Sequence, residues 1–376
     1  MIEPTAHVVA PASLAPSSPV EFPMTWLLDH ASNAIRYRAL IDVARVTGNL
    51  AREASTLAYV HRPALMLALA QSTDGTWYRS MLDVPSPRAE HFERVGTINA
   101  FRRLCEYGWD KDSPPLLRAR RLLFRLLAED NDPAFLFELN TQGANDPDSA
   151  RRGRSVLREA AAAALAQAGY EEDPRLRGAA GRILERIDRF LRSPLAPRPW
   201  VRVGNKQVLA PEASPPSIHA LAMLAHMPLF RIEHHVQLDR IYHYISQPQP
   251  RQEVVQLFGS TLVDQPHLVM GDMLPNRNVA DADVPFSLAW LELVARLGFL
   301  RRNDGWTKLF ERFLDDRDRD LVWHPHKGSA VPRSTNPFVW PAFPLEQMTS
   351  GDERWTDVTF RLGLIARLSG RPLELV

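Results

Sequence analysis

FSLAWLELVARLG at 286–298 places apolar residues on nearly every side of a helical wheel, whereas PPLLRARRLLFRLLAED at 114–130 confines them to one face among arginines and acids. A helix apolar all round has to be buried on most sides, and an amphipathic one covers it and faces water. SIHALAMLAHM at 217–227 and DVTFRLGLIARLSG at 357–370 belong to the first kind, and DPRLRGAAGRILERIDRFLR at 173–192 to the second. Buried and covering helices therefore alternate along the chain.

Helical spacing with start and stop signals recurs at 34–46, 63–71, 97–107, 114–128, 155–168, 174–191, 217–226, 238–246, 286–297, 307–314 and 356–368, while strand-type alternation is nearly absent. The expectation is an all-α chain. Several buried helices end in a like tail closed by glycine: Arg103 to Gly108, Arg296-Leu-Gly298 and Arg367-Leu-Ser-Gly370. Units of about 40 to 60 residues, each one helical hairpin, predict a closed ring of about five to six hairpins. After a proline-broken arm over 1–22, residues 23–376 read as one domain. The long connections 193–216, 247–281 and 323–353 are of the kind that covers a functional mouth.

Composition narrows the partners. With 45 basic and 44 acidic residues and no long run of one sign, nucleic acid is not expected. Cys105 stands alone, which rules out an intrachain disulfide and a multi-cysteine zinc site and fits a reducing, cytoplasmic setting. The start, MIEPTAHVVAPASLAPSSPV, lacks the basic and apolar regions of a signal peptide. No apolar run approaches the roughly 20 residues that cross a bilayer, so membrane contact is at most peripheral. No phosphate loop, nucleophile elbow or dinucleotide fingerprint occurs, and no cofactor is expected. Glu233-His-His235 with His243, and His324-Pro-His326, lack the helical i, i+4 spacing of a metal pair, and no metal is expected.

Gln71-Ser-Thr-Asp-Gly-Thr-Trp77 resembles the glutamine–tryptophan element of squalene and terpene cyclases, where the glutamine closes a helix end and ties neighbouring outer helices together. Asn303-Asp-Gly-Trp306 is a fainter echo without the glutamine. Asp281-Ala-Asp283-Val-Pro-Phe286 looks like the Asp-x-Asp-Asp-Thr-Ala motif of class II cyclases, with Val284 and Pro285 in place of its last aspartate and threonine. The resemblance implies the α/α toroid of the terpenoid-cyclase and prenyltransferase superfamily, with Asp283 as the acid that protonates an alkene or epoxide and Asp281 as its helper.

Protonating such a substrate takes a carboxylic acid kept neutral, away from water, beside aromatic faces. Phe286, Trp290, Trp306, Trp323, Trp340 and Trp355 are candidate faces. Asn99, His219 and Asp357, each at the start of a buried helix, are candidates to converge with Asp283 on a central cavity. The plainer reading of Asp283 is a helix cap. Three functions stay open: acid-initiated cyclisation or isomerisation of an isoprenoid or other apolar substrate, a non-catalytic ring that binds an apolar ligand or a protein partner, and a sugar-active (α/α)₆ enzyme with Glu93 paired to Asp283.

Overall fold

Side-chain caps and prolines open many of the helices. Asp146 accepts from the Ser149 amide, Asp173 from Arg175, Ser217 from Ala220, and Asn303 from Gly305 and Trp306. The elements run α1 (Met24–His30), α2 (Asn33–Arg38), a π-helical segment (Ala39–Ala44), α3 (Gly48–Val60), α4 (Arg62–Leu69), α5 (Thr97–Glu106) and α6 (Pro114–Leu126). They continue as α7 (Pro147–Gln167), α8 (Pro174–Leu191), α9 (Ile218–Ala225), α10 (Pro228–Glu233), α11 (His235–Ile245), α12 (Val284–Arg296), α13 (Asp304–Asp315) and α14 (Thr356–Leu368). The computed structural model describes residues 18–86, 88–89, 91–128, 146–250, 253–258, 261–274, 279, 281–325, 334–346 and 354–376, and of Asp281 the backbone alone.

The apolar helices lie innermost. Every residue of α9 is buried, as are Thr356 to Ala366 of α14, whereas α6 buries only Leu116, Ala119, Leu123 and Phe124. Contacts pass from α5 to α7, α9, α12 and α14, and from α14 to the π-helical segment. Arg38 of α2 then meets Glu106 of α5 at 2.6 Å. Outside this circuit α6 packs on α5 and α7, α8 on α7 and α9, and α3 on α2. Glycine is required where layers approach closely: a Cβ on Gly108, at φ 87, would come within 2.1 Å of the Tyr37 ring.

The all-α expectation is corrected, and the all-α toroid with it, because the chain is mixed α/β. β1 (Val20–Phe22) pairs in parallel with β6 (Leu373–Leu375). A four-stranded sheet orders β2 (Trp200–Val203), β3 (Lys206–Leu209), β4 (Val255–Phe258) and β5 (Thr261–Asp264) in sequence, with β3 and β4 parallel. These strands have three or four residues each, near the lower limit of a period-two pattern. Phe22 of β1, within the stretch assigned to the arm, is buried, and the larger sheet adds a small second core of Phe190, Leu209, Ala210, Ala213, Leu268 and Met270. Among the described residues no helix is long and apolar enough to cross a membrane.

Candidate functional site

The segment 334–346 has no regular secondary structure, yet Phe338, Val339, Trp340, Phe343 and Leu345 are buried. Its backbone polar groups therefore need partners inside the protein, and charged side chains of α5 and α14 supply them. Arg103 donates through Nη1 to the carbonyl of Trp340 at 2.9 Å and through Nη2 to that of Pro344. Arg361 donates to the Ala342 carbonyl. Asp357 Oδ2 accepts the amides of Leu345 at 2.7 Å and Glu346 at 3.1 Å.

Between this segment, α4 and α5 lies a cavity of about 480 Å³, within the range of small-molecule sites. Its aromatic wall is continuous. The His61 ring sits 4.9 Å from that of Tyr107, the Arg103 guanidinium lies 4.7 Å from the Tyr107 ring and 5.1 Å from that of Trp340, and Phe92 meets Trp340 edge-on at 6.2 Å. Met66, Pro63, Pro85 and Leu345 add apolar surface. The His61 Nε2 is buried without a partner.

Glu346 is the one described carboxyl group on the lining. Its Oε2 accepts the Ser32 amide at 2.5 Å and its Oε1 meets the Thr356 hydroxyl. Burial and the neighbouring Asp357 carboxylate push its pKa up to about 7, against the pull of the Ser32 hydrogen bond. Burial, and then the charge of Arg103, lower His61 to about 4, so that ring is neutral at pH 7. Burial also raises Asp357, and Arg361 opposes it.

Of the residues named from sequence, Trp340 lines this cavity and Asp357 holds its floor from behind. Asn99 acts at one remove, donating to the carbonyls of Leu82 at 2.5 Å and Asp83 at 3.3 Å, just before the lining residues Pro85 and Ser86. His219 is buried elsewhere, its ring 6.5 Å from that of His267. Trp290 and Trp306 pack edge to face at 6.3 Å in the core, with Trp290 Nε1 donating to Asp272 at 3.0 Å. Phe286 is half-buried against the same core. Asp283 is half-buried at the N-cap position of α12, makes no side-chain cap hydrogen bond, and does not line the cavity. The Asp281 side chain and His326 lie outside the described residues, and Glu93 is exposed.

The sequence reading overlooked Glu346, Arg103, His61 and Tyr107. The available signal for Glu346 was its place in the connection 323–353, already marked as a cover. Among the described residues no group of three or more His, Cys, Asp and Glu is placed to hold a metal ion. No family model, curated protein or solved structure matches the chain.

Proposed function

We propose that the protein takes a small, largely apolar molecule into the cavity between α4, α5 and the 334–346 segment, and that Glu346 acts on it as a general acid to begin an isomerisation or cyclisation. The observation that carries this reading is a carboxyl group with a pKa of about 7 on a wall built of Trp340, Tyr107 and Phe92. A general acid is most effective when its pKa lies near the working pH. That same pKa makes Glu346 too weak an acid to protonate an isolated alkene readily. The substrate atom that takes the proton is therefore an oxygen, as in an epoxide, ether or carbonyl. We place this chemistry in the cytoplasm, in keeping with the single cysteine, Cys105.

The second reading, binding without turnover, is favoured by one detail: both oxygens of Glu346 already have partners in Ser32 and Thr356. The test is an assay of the intact protein, Glu346→Gln and Asp283→Asn against a panel of linear isoprenoid epoxides and ketones. The proposal expects turnover in the intact protein and in Asp283→Asn, with loss in a folded Glu346→Gln. Turnover that survives Glu346→Gln contradicts it, and ligand-induced stabilisation without turnover supports the binding reading.

A further inference from the structure

A second cavity, of about 490 Å³, opens where α5, α7, α9 and α12 end. Its base is a buried ion network. Glu106 Oε2 accepts from Arg38 Nη1 at 2.6 Å and Arg361 Nη2 at 2.9 Å, while Oε1 accepts from Gln167 at 2.7 Å. Glu292 accepts from Arg296 Nε at 2.9 Å and Arg361 Nη1 at 2.5 Å, and Asp42 takes Arg38 Nε.

This arrangement constrains what the cavity can hold. Of its lining residues Arg38, Lys111 and Arg296 are cationic and Asp42, Glu106 and Asp110 anionic, so the wall carries no net charge. Arg38, Arg296, Asp42 and Glu106 are held in ion pairs that a charged ligand would have to break to form its own, while Lys111 lies over the Tyr170 ring at 5.3 Å and Asp110 accepts the Asp112 amide at 2.8 Å. What the network leaves over are single valences. Arg38 Nη2 and Arg296 Nη1 make no hydrogen bond to the described residues, and neither is fully buried. His226 is neutral at pH 7, because burial, and then Arg296, lower it to about 3, and its Nδ1 is already bound to the Ala222 carbonyl at 2.9 Å. The two guanidinium donors and the His226 Nε2, an acceptor because Nδ1 carries the proton to the Ala222 carbonyl, match hydroxyl groups, each of which both donates and accepts. The rings of Tyr37, Tyr59 and Trp109 complete the lining, with Tyr59 and Trp109 5.2 Å apart. They give flat apolar faces for the C–H surface of a ring.

We infer that this cavity binds a neutral, polyhydroxylated ring, a free sugar or cyclic polyol, at a site separate from the Glu346 cavity. α5 and its C-cap serve both sites, giving Arg103 and Tyr107 to the first and Glu106 to the second.

The test is calorimetric titration of the full chain with glucose, xylose and inositol, with glycine as a zwitterion and inorganic phosphate as an anion for comparison. At least one polyol should bind saturably with one site per chain, and more tightly than either charged probe. Tyr59 is 39% exposed, so Tyr59→Ala should fold. It should weaken polyol binding by about tenfold or more, Tyr59→Phe should keep most of it, and Glu346→Gln should leave it unchanged. Absence of saturable polyol binding, tighter binding of glycine or phosphate, or full affinity in a folded Tyr59→Ala would each overturn the inference. Loss of polyol binding in Glu346→Gln would overturn the separation of the two sites.

Discussion

Glu346 and Asp357 are two carboxyl groups set apart by their surroundings. Asp357 has two backbone amides and the field of Arg361 to hold its charge, whereas Glu346 has one amide and a hydroxyl. Burial raises both groups, and at Asp357 the charge of Arg361 and the two amides oppose that rise. A pKa raised from 4.5 to about 7 means that the folded protein binds more protons than the unfolded chain across that window, so this group's contribution to stability is lost as pH rises through it. Glu346→Gln keeps the neutral form at every pH. Thermal melts should show the variant gaining on the parent from pH 4.5 to pH 7, by at most about 3 kcal/mol and less to the extent that water screens the group. A gap independent of pH would contradict this. Trp77 and Gln71 were legible from sequence because their spacing is local. Gln71 donates to the carbonyls of Gly75 and Pro115, tying the end of α4 to the start of α6, and the buried Trp77 donates to Leu67 at 2.7 Å. Trp77→Ala should cost about 3 to 5 kcal/mol in denaturant unfolding.

At the scale of elements, periodicity reveals which helices are buried but not which charges they carry inward. α14 and α12 read as apolar on nearly every side, yet Arg361 and Glu292 lie inside them, paired with each other, and Arg361 pairs with Glu106 as well. The sequence shows Arg361 amid apolar residues, with Arg367 in the last turn of the same helix, and the partners of Arg361 come from helices distant in the chain. Arg361→Met strips a counter-charge from both Glu106 and Glu292. It should destabilise by about 3 to 5 kcal/mol in chemical denaturation, and a loss below 1 kcal/mol would show the network to be dispensable. The strands were illegible for a related reason. β1 meets β6 only because the folded helices bring the two ends of the chain together, and β2 to β5 are too short to repeat a pattern. For Asp283, a short motif fixes a position in sequence but not where the fold places it. In the structure that position is half-buried and outside the cavity.

For the whole molecule, titration couples the core to pH. Burial comes first in lowering His61 to about 4 and His219 and His226 to about 3. The unfolded chain therefore takes up protons at these sites before the folded one does. Their contribution to stability is present above about pH 6.5 and lost as pH falls toward 3. Melting temperature should rise from pH 4 to pH 6.5, opposed in part by Glu346, Asp357 and Asp272, whose pKa values burial raises, and a flat profile would contradict the burial of these rings. Around this core, the segment 334–346 is held between the helices by Arg103, Arg361 and Asp357, and it gives the first cavity Trp340 of its aromatic wall and its acid, Glu346. The central claim is that this acid titrates near neutral pH, so that it still carries its proton in a large share of molecules at pH 7. The most direct measurement is a carbon-13 titration of the glutamate carboxyl groups in the full chain, compared with Glu346→Gln and Asp357→Asn. The account predicts one resonance with a midpoint near pH 7 that is absent in Glu346→Gln and moves to lower pH in Asp357→Asn; glutamates that all titrate below about pH 5.5 would contradict it.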